Sequence, residues 1–362
     1  MADYKLPTTR DIAAATGYSQ SAVSHALRGT QNISAETKEK ILRAAGKLGW
    51  KPNPFASAYM SHLRRTKGKS AYRANLAYLI YNPESGRVTD QPPHIQYYFR
   101  GASKRARELG YEVEPVWLNE PHLTPRRLNG ILRSRNISGL FVPGVEGPAA
   151  VLKQLQWRNF ASVAIGFIPS KSEIHRVTAD TFDGFALLLD NIRKLGYRRI
   201  GVAVSRAYDE QVNHGVLFPT YFSRERWRAD CTIEVCDFAT DQPHEIPVIQ
   251  EWLRAYRPEV VLGETVSWRA ITRMGWRVPQ DIAFASVDWS ARYAEIAGFN
   301  QRHELQGALA VDMVSSQITH NEQGLPANPR VVLVAGSWKA GKSVPAAEKR
   351  TRIVGSVKID QG

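Results

Sequence analysis

Cysteine is nearly absent from the 362 residues. Only Cys231 and Cys236 occur, with no second Cys or His pair at metal-ligand spacing, so a disulfide framework and a thiolate metal site are both excluded and free cytosolic thiols are expected. No apolar run approaches the roughly 18 residues that a membrane helix needs. The opening Met1-Ala2-Asp3-Tyr4-Lys5 has no apolar signal core, so export is not expected. Catalytic signatures are missing as well. There is no H-E-x-x-H, no G-x-S-x-G and no G-x-G-x-x-G behind a strand, and the nine histidines are scattered. These absences argue against an enzyme and call for no cofactor and no metal. What remains is the composition of an ordinary globular protein, 43% hydrophobic and 23% charged, long enough for two or three domains.

One charge sign dominates, and it dominates locally. The net charge is +14, and residues 1–73 carry 13 Lys/Arg against four Asp/Glu, so a fifth of the chain holds +9 of it. A basic surface favours a polyanionic partner through counterion release, although charge alone is equally compatible with a solvated basic face. Local patterning separates the two. Thr8-Thr9-Arg10-Asp11 reads as a helix start, a hydroxyl with a carboxylate three residues on. Gly17 stops that helix, and Ser19 caps a second from Gln20 to Leu27. Val23, Ala26 and Leu27 share one face of it, while Gln20, Ser21, Ser24, His25 and Arg28 share the other. Ser34 opens a third helix to about Leu48, with Ile41, Leu42, Ala45 and Leu48 as its inward stripe. Two short helices around a Gly turn make a helix-turn-helix, whose second helix enters the major groove with its N-terminal polar residues at base edges. Gln20 has the geometry to pair with adenine, and Ser21 and His25 the reach for bases or phosphates. A plain three-helix bundle that binds nothing is the alternative.

These residues resemble the LacI/GalR family of bacterial transcription regulators. The resemblance runs through Thr9-Arg10-Asp11-Ile12-Ala13, Gly17-Tyr18-Ser19, Ala22-Val23-Ser24, Leu27, Ile33-Ser34, Thr37, Ile41, Ala44-Ala45, Leu48-Gly49-Trp50 and Lys51-Pro52-Asn53. It implies an operator-binding homodimer, with Thr9, Ser19 and Asn53 joining the DNA contacts. It also implies a hinge helix over Pro54 to Met60 that presses an apolar side chain into the minor groove. The family's wedge is a leucine. Tyr59 stands at that position here, with Ala56 on the same segment and Met60 as the alternative wedge, and packing between paired hinges is the other role open to Tyr59. Residues 61–74 read as a basic linker.

From residue 75 the chain alternates apolar runs with helical stretches. Strands are expected at 76–81, 113–117, 139–143, 162–167, 200–204, 232–236, 260–262, 282–286 and 331–334. Helices are expected at 96–109, 125–134, near 148–156, at 182–195, 208–228, 245–256, 267–274 and 304–319. Strand–helix alternation implies parallel sheets, and two series imply two lobes with a ligand cleft at the strand carboxyl ends. The resemblance continues through Leu195 to Gly201, Arg257-Pro258, Gly275 to Ala283 and Gly336-Ser337-Trp338. The expected fold class is therefore an all-α, lambda-repressor-like helix-turn-helix domain joined to an α/β, two-lobed, periplasmic-binding-protein-like domain. The expected boundaries are 1–52 for the helix-turn-helix, 53–74 for hinge and linker, 75–345 for the two-lobed effector and dimerisation domain, and 346–362 for a tail.

The resemblance implies a sugar-like or purine-like effector in the cleft. Asp288 and Gln301 match family positions, and Trp289 follows Asp288. The family's Asn-Asp pair is replaced by Glu264-Thr265, and its ligand-clamping arginine falls at Val212, beside Asn213 and His214. Tyr81, Asn82 and Trp268 stand at other strand ends. Each of these has a bland reading as a packing or surface residue. The expected function is a sequence-specific regulator, most simply a repressor, acting on a palindromic operator in the cytoplasm at the nucleoid. A DNA-binding protein with a degenerate, ligand-free sensor and a solute-binding protein are the alternatives. Finally, Gly336 to Ser343 matches the P-loop pattern G-x-x-x-x-G-K-S. Ser343-Val344-Pro345 reads as extended where a phosphate-binding helix would have to start, so nucleotide binding is not expected.

Overall fold

The computed structural model describes residues 8–27, 33–48, 74–81, 86–118, 120, 122–143, 155–166 and 173–352. The expected hinge, the linker, Arg28 and Asn82 lie outside them.

Three helices form the head: α1 (Thr9–Thr16), α2 (Gln20–Leu27) and α3 (Ala35–Lys47). Each begins where a side chain relieves orphan amides. Thr8 and Asp11 make a reciprocal capping box, the Ser19 hydroxyl accepts from Ala22 N, and the Ser34 hydroxyl accepts from Thr37 N. Gly17 ends α1 at φ 73°, a left-handed conformation that glycine adopts without a Cβ penalty. The core is small: Ile12, Val23, Ala26, Ile41 and Ala45 are buried, with Ala13, Tyr18, Leu27 and Ile33 packed around them. Two residues assigned to the inward stripe of α3 are not inside. Leu42 is 44% exposed and Leu48 39%. Leu42 lies one residue off the 41/45 face, and Leu48 follows the last helical residue.

Two six-stranded sheets make the lobes. In the N-lobe the strand order is β11-β5-β4-β3-β1-β2, all parallel, from β1 (Ala74–Ile80), β2 (Tyr111–Trp117), β3 (Ile137–Pro143), β4 (Ala161–Ile165), β5 (His175–Ala179) and β11 (Val331–Val334). Helix α4 (Pro93–Glu108), α5 (Pro125–Ser134) and α11 (His303–His320) accompany it. In the C-lobe the order is β12-β10-β9-β8-β6-β7, from β6 (Arg199–Ala203), β7 (Thr232–Val235), β8 (Val260–Gly263), β9 (Ala283–Ser286), β10 (Ala297–Asn300) and β12 (Ser337–Lys339), the last antiparallel at the edge. Its helices are α6 (Thr181–Lys194), α7 (Arg206–Gln211), α8 (Leu217–Arg226), α9 (Ile246–Tyr256) and α10 (Thr265–Arg273). Strands covered on both faces read as unbroken apolar runs, as Leu76 to Ile80 and Val260 to Leu262 do, all buried. The chain passes between the lobes three times, at Asp180, at Gln301-Arg302 and at Ala335-Gly336.

The structure departs from the sequence reading in four places. β5, β10 and β12 are short strands that the apolar pattern did not mark. The single helix expected over 208–228 is two helices, because Asn213 (φ 54°) and His214 (φ 60°) are both left-handed. The buried Asp209 carboxylate holds that break: it accepts from Val216 N and Leu217 N and meets His214 Nδ1 at 2.9 Å. Most of the helix expected near 148–156 lies outside the described residues. The P-loop-like stretch is structural. Ser343 Oγ is buried, donating to Phe284 O at 2.6 Å and accepting from Ala297 N at 2.8 Å, and Lys342 pairs with Glu295.

Candidate functional site

The head presents its polar residues from one helix. Burying Val23 and Ala26 fixes the rotation of α2, and that leaves Ser19, Gln20 and Ser21 exposed, with His25 half-buried and Ser24 on the same helix. Thr9 is half-buried at the start of α1, next to exposed Arg10. The N-terminal turn of α2 therefore faces outward with an amide and a hydroxyl side by side, the chemistry that reads base edges. Exposed ion pairs Lys40–Glu36 and Arg43–Glu39 line α3; both raise the charged fraction of that surface and contribute little to stability. Asn53, Ala56, Tyr59 and Met60 lie outside the described residues.

The second site is the cleft between the lobes. Its C-lobe wall is the row of residues that follow parallel strands. Asp288 and Trp289 come after β9, where Ser286 Oγ holds the turn by donating to Asp288 O and accepting from Asp288 N, and Trp289 N donates to Phe299 O. Glu264 follows β8, its carboxylate accepting from Ser205 N at 2.6 Å. Gln301 follows β10, and its buried amide donates to Tyr208 Oη at 3.0 Å and to Val287 O at 3.3 Å. The N-lobe wall comes from α4 and α11. Both Gly101 and Gly307 sit where a Cβ would collide with the facing helix backbone, so the two helices approach closely and bring His94, Tyr98 and His303 together. Tyr98 and His303 stand edge to face at 5.0 Å, and His94 lies about 6 Å from each. Two contacts span the cleft: Tyr97 Oη to Ser290 Oγ at 3.0 Å, and His303 Nε2 to Asp288 Oδ1 at 3.5 Å.

Burial sets the electrostatics here. It pushes the Asp288 carboxyl up to about 6, with His94 lowering it slightly, and the Glu264 carboxyl up to about 7 against the lowering effect of Ser205. It pushes the His303 imidazole down to about 4 and lowers His94 too, so both rings are neutral at pH 7. Burial also raises the Tyr208 phenol, reinforced by Asp288 and Glu264.

The sequence-derived cleft residues divide. Asp288, Trp289, Glu264 and Gln301 are gathered around Tyr208 and His303. Tyr81 packs half-buried against the N-lobe core. Trp268 belongs to the C-lobe interior, 2% exposed and edge to face with Phe284 at 5.2 Å; its one-turn position inside α10 turns it away from the cleft. Asn213 is exposed in the α7–α8 turn, and Val212 is buried in the C-lobe core. Tyr208, Tyr98, His94 and His303 were missed. Only His303, two residues after Gln301, carried any signal, and the others depend on helix packing that no local pattern encodes.

Comparison with known proteins agrees with both sites. Residues 8–53 match the profile described as bacterial regulatory proteins, lacI family, and residues 189–344 match a periplasmic binding protein-like domain. The HTH-type transcriptional repressor PurR of Klebsiella pneumoniae (strain 342) is 23% identical over 349 residues, covering 90% of this chain and 96% of that protein. PurR of Haemophilus influenzae (strain PittEE) is 20% identical, covering 90% and 95%. Among solved structures, the transcriptional regulator CelR–cellobiose complex superposes with a TM-score of 0.56 at 19% identity, covering 93% of this chain and 99% of that one. The lac repressor dimer bound to operator and the anti-inducer ONPF superposes with a TM-score of 0.54 at 18% identity, covering 94% and 100%.

Proposed function

The chain belongs to the LacI family of bacterial transcription regulators, and from that premise we propose how it acts. It is a DNA-binding regulator with a small-molecule-binding core. Two copies joined through that core bind a palindromic operator, and an effector in the cleft sets their affinity for it. The proposed working parts are the head 1–52, the hinge and linker 53–74 and the core 75–345, with 346–362 as a tail. The site of action is the cytoplasm, at the nucleoid, and the protein catalyses no reaction. The observation that carries this reading is the outward face of α2, where Gln20 and Ser21 are exposed because Val23 and Ala26 are buried against α1 and α3.

Base reading is assigned to Gln20, Ser21, Ser24 and His25. Thr9, Ser19, Arg28 and Asn53 are assigned to phosphates. Tyr59 or Met60, with Ala56, is assigned to the hinge in the minor groove. Asp288, Trp289, Gln301 and Glu264 are assigned to the effector. The effector acts only through its different affinities for two lobe arrangements.

Selection of bound fragments from random duplexes, followed by footprinting of the intact protein, tests the reading. The expected result is one enriched inverted repeat, its half-sites on one face of the duplex and about one or two helical turns apart. Recovery of fragments with no common sequence would overturn it.

A further inference from the structure

Asp288 offers the cleft an acceptor that nothing in the protein uses. Its side chain is 37% exposed, yet Oδ1 is shut off from solvent and has no hydrogen-bond partner. His303 Nε2 is 3.5 Å away, beyond the 2.7–3.2 Å of an N–H···O bond. The next residue repeats the pattern, since the Trp289 indole N–H is buried without an acceptor. Such orphans are costly in a folded protein and mark places that another molecule completes. Tyr208 adds a donor. Its oxygen accepts from Gln301 Nε2, which leaves the phenol hydrogen available.

The charge of the site is one-sided. Asp288 and Glu264 both act on the Tyr208 phenol, so two carboxyl groups converge on one hydroxyl. The imidazoles opposite them do not balance this, because burial keeps His303 and His94 neutral. Other cations nearby in the chain are engaged or in solvent: Arg206 of α7 is paired with Asp237, Lys339 lies over the Trp289 ring at 5.5 Å, and Arg302 is exposed at the crossover. An anion entering this cleft would meet carboxylates in a medium that screens poorly.

We infer that the effector is a small molecule rich in hydrogen-bond donors and free of anionic groups, held by Asp288 as acceptor and Tyr208 as donor. This rests on the regulator reading and specifies the chemistry of its ligand. Sugar acids, sugar phosphates and nucleotides are excluded; polyols, amino sugars and nucleosides fit.

Thermal-shift titration of the full chain with matched probes tests it. The probes are glucose, glucosamine, gluconate and glucose 6-phosphate, with adenosine and adenosine monophosphate as a second skeleton. The expected result is a raised melting midpoint with at least one neutral or cationic probe, and binding about tenfold or more tighter than by the anion of the same skeleton, the worth of one repelled charge. Asp288→Asn and Glu264→Gln, each checked for fold by circular dichroism, should each narrow that ratio. Tighter binding by an anionic probe would overturn the inference, and so would no shift with any neutral or cationic one. Operator selection by the same preparation separates the two readings. An anion preference with intact selection removes only the ligand chemistry, whereas lost selection removes the regulator assignment.

Discussion

The head and the cleft recognise their partners by opposite constructions. In the head the recognition groups sit on one eight-residue helix, α2, and a core of five buried residues orients them. In the cleft they come from six segments spread from His94 to His303, held in place by two large sheets and by the close approach of α4 and α11 at Gly101 and Gly307. The head is cheap to build and easy to unfold. The cleft is costly, and it tolerates orphaned polar atoms because extensive packing surrounds them. Stability and recognition are therefore coupled differently in the two regions, and substitutions should expose this.

The largest effect is expected in the head. Ile41→Ala removes a fully buried side chain from a five-residue core at about 2–5 kcal/mol, most of what so small a unit can hold. Calorimetry should show the head melting early while the transition of the lobes stays put, with DNA binding lost. The matching cut in the C-lobe is Ser343→Ala. It strips a buried hydroxyl from Phe284 O and Ala297 N, at about 1–3 kcal/mol. Here the midpoint of the lobes should fall and the head should still bind DNA. A common shift of both transitions in either variant would erase the distinction.

Smaller effects sharpen the recognition side. Gln20→Ala should cost about 1–3 kcal/mol at the base pair it reads and little elsewhere, measured by binding to a set of single-base operator variants. Equal loss across the set would make Gln20 a backbone contact. In the cleft, Asp288→Asn should stabilise the ligand-free protein at pH 8. The native carboxyl titrates near 6 against an ordinary 3.8, so the folded protein binds this proton more tightly than the unfolded chain does. The stability it contributes is complete below about pH 4 and lost as pH rises through 6. The variant's advantage should therefore appear between pH 4 and 6 and vanish below. Its size is about 1 kcal/mol or less, since more than a third of the side chain is exposed. His303 acts in the other direction, its ring lowered to about 4, so both proteins should lose stability alike as pH falls from 6.5.

The same contrast explains what could be read without coordinates. In α2 the helical period separates Val23 and Ala26 from Gln20 and Ser21, and Thr8, Ser19 and Ser34 announce each helix start, so fold and function share one local code. The apolar strands β1 and β8 were equally plain. β10 (Ala-Gly-Phe-Asn) and β12 (Ser-Trp-Lys) were not, because short strands are specified by neighbours far along the chain. Asp288 and Gln301 were visible as strand-end residues, but Trp268 was misplaced because an aromatic at the start of a helix looks the same whether it faces a cleft or a core. Tyr98 and Tyr208 acquire meaning only through packing.

The central claim is that the N-terminal turn of α2 distinguishes base pairs. Its most direct test is the affinity of the intact protein for its selected site against a scrambled duplex of equal length, across a salt series. Selective reading predicts a ratio of about a thousandfold or more, persisting while both affinities fall together with salt. Equal affinities at every salt concentration would contradict it.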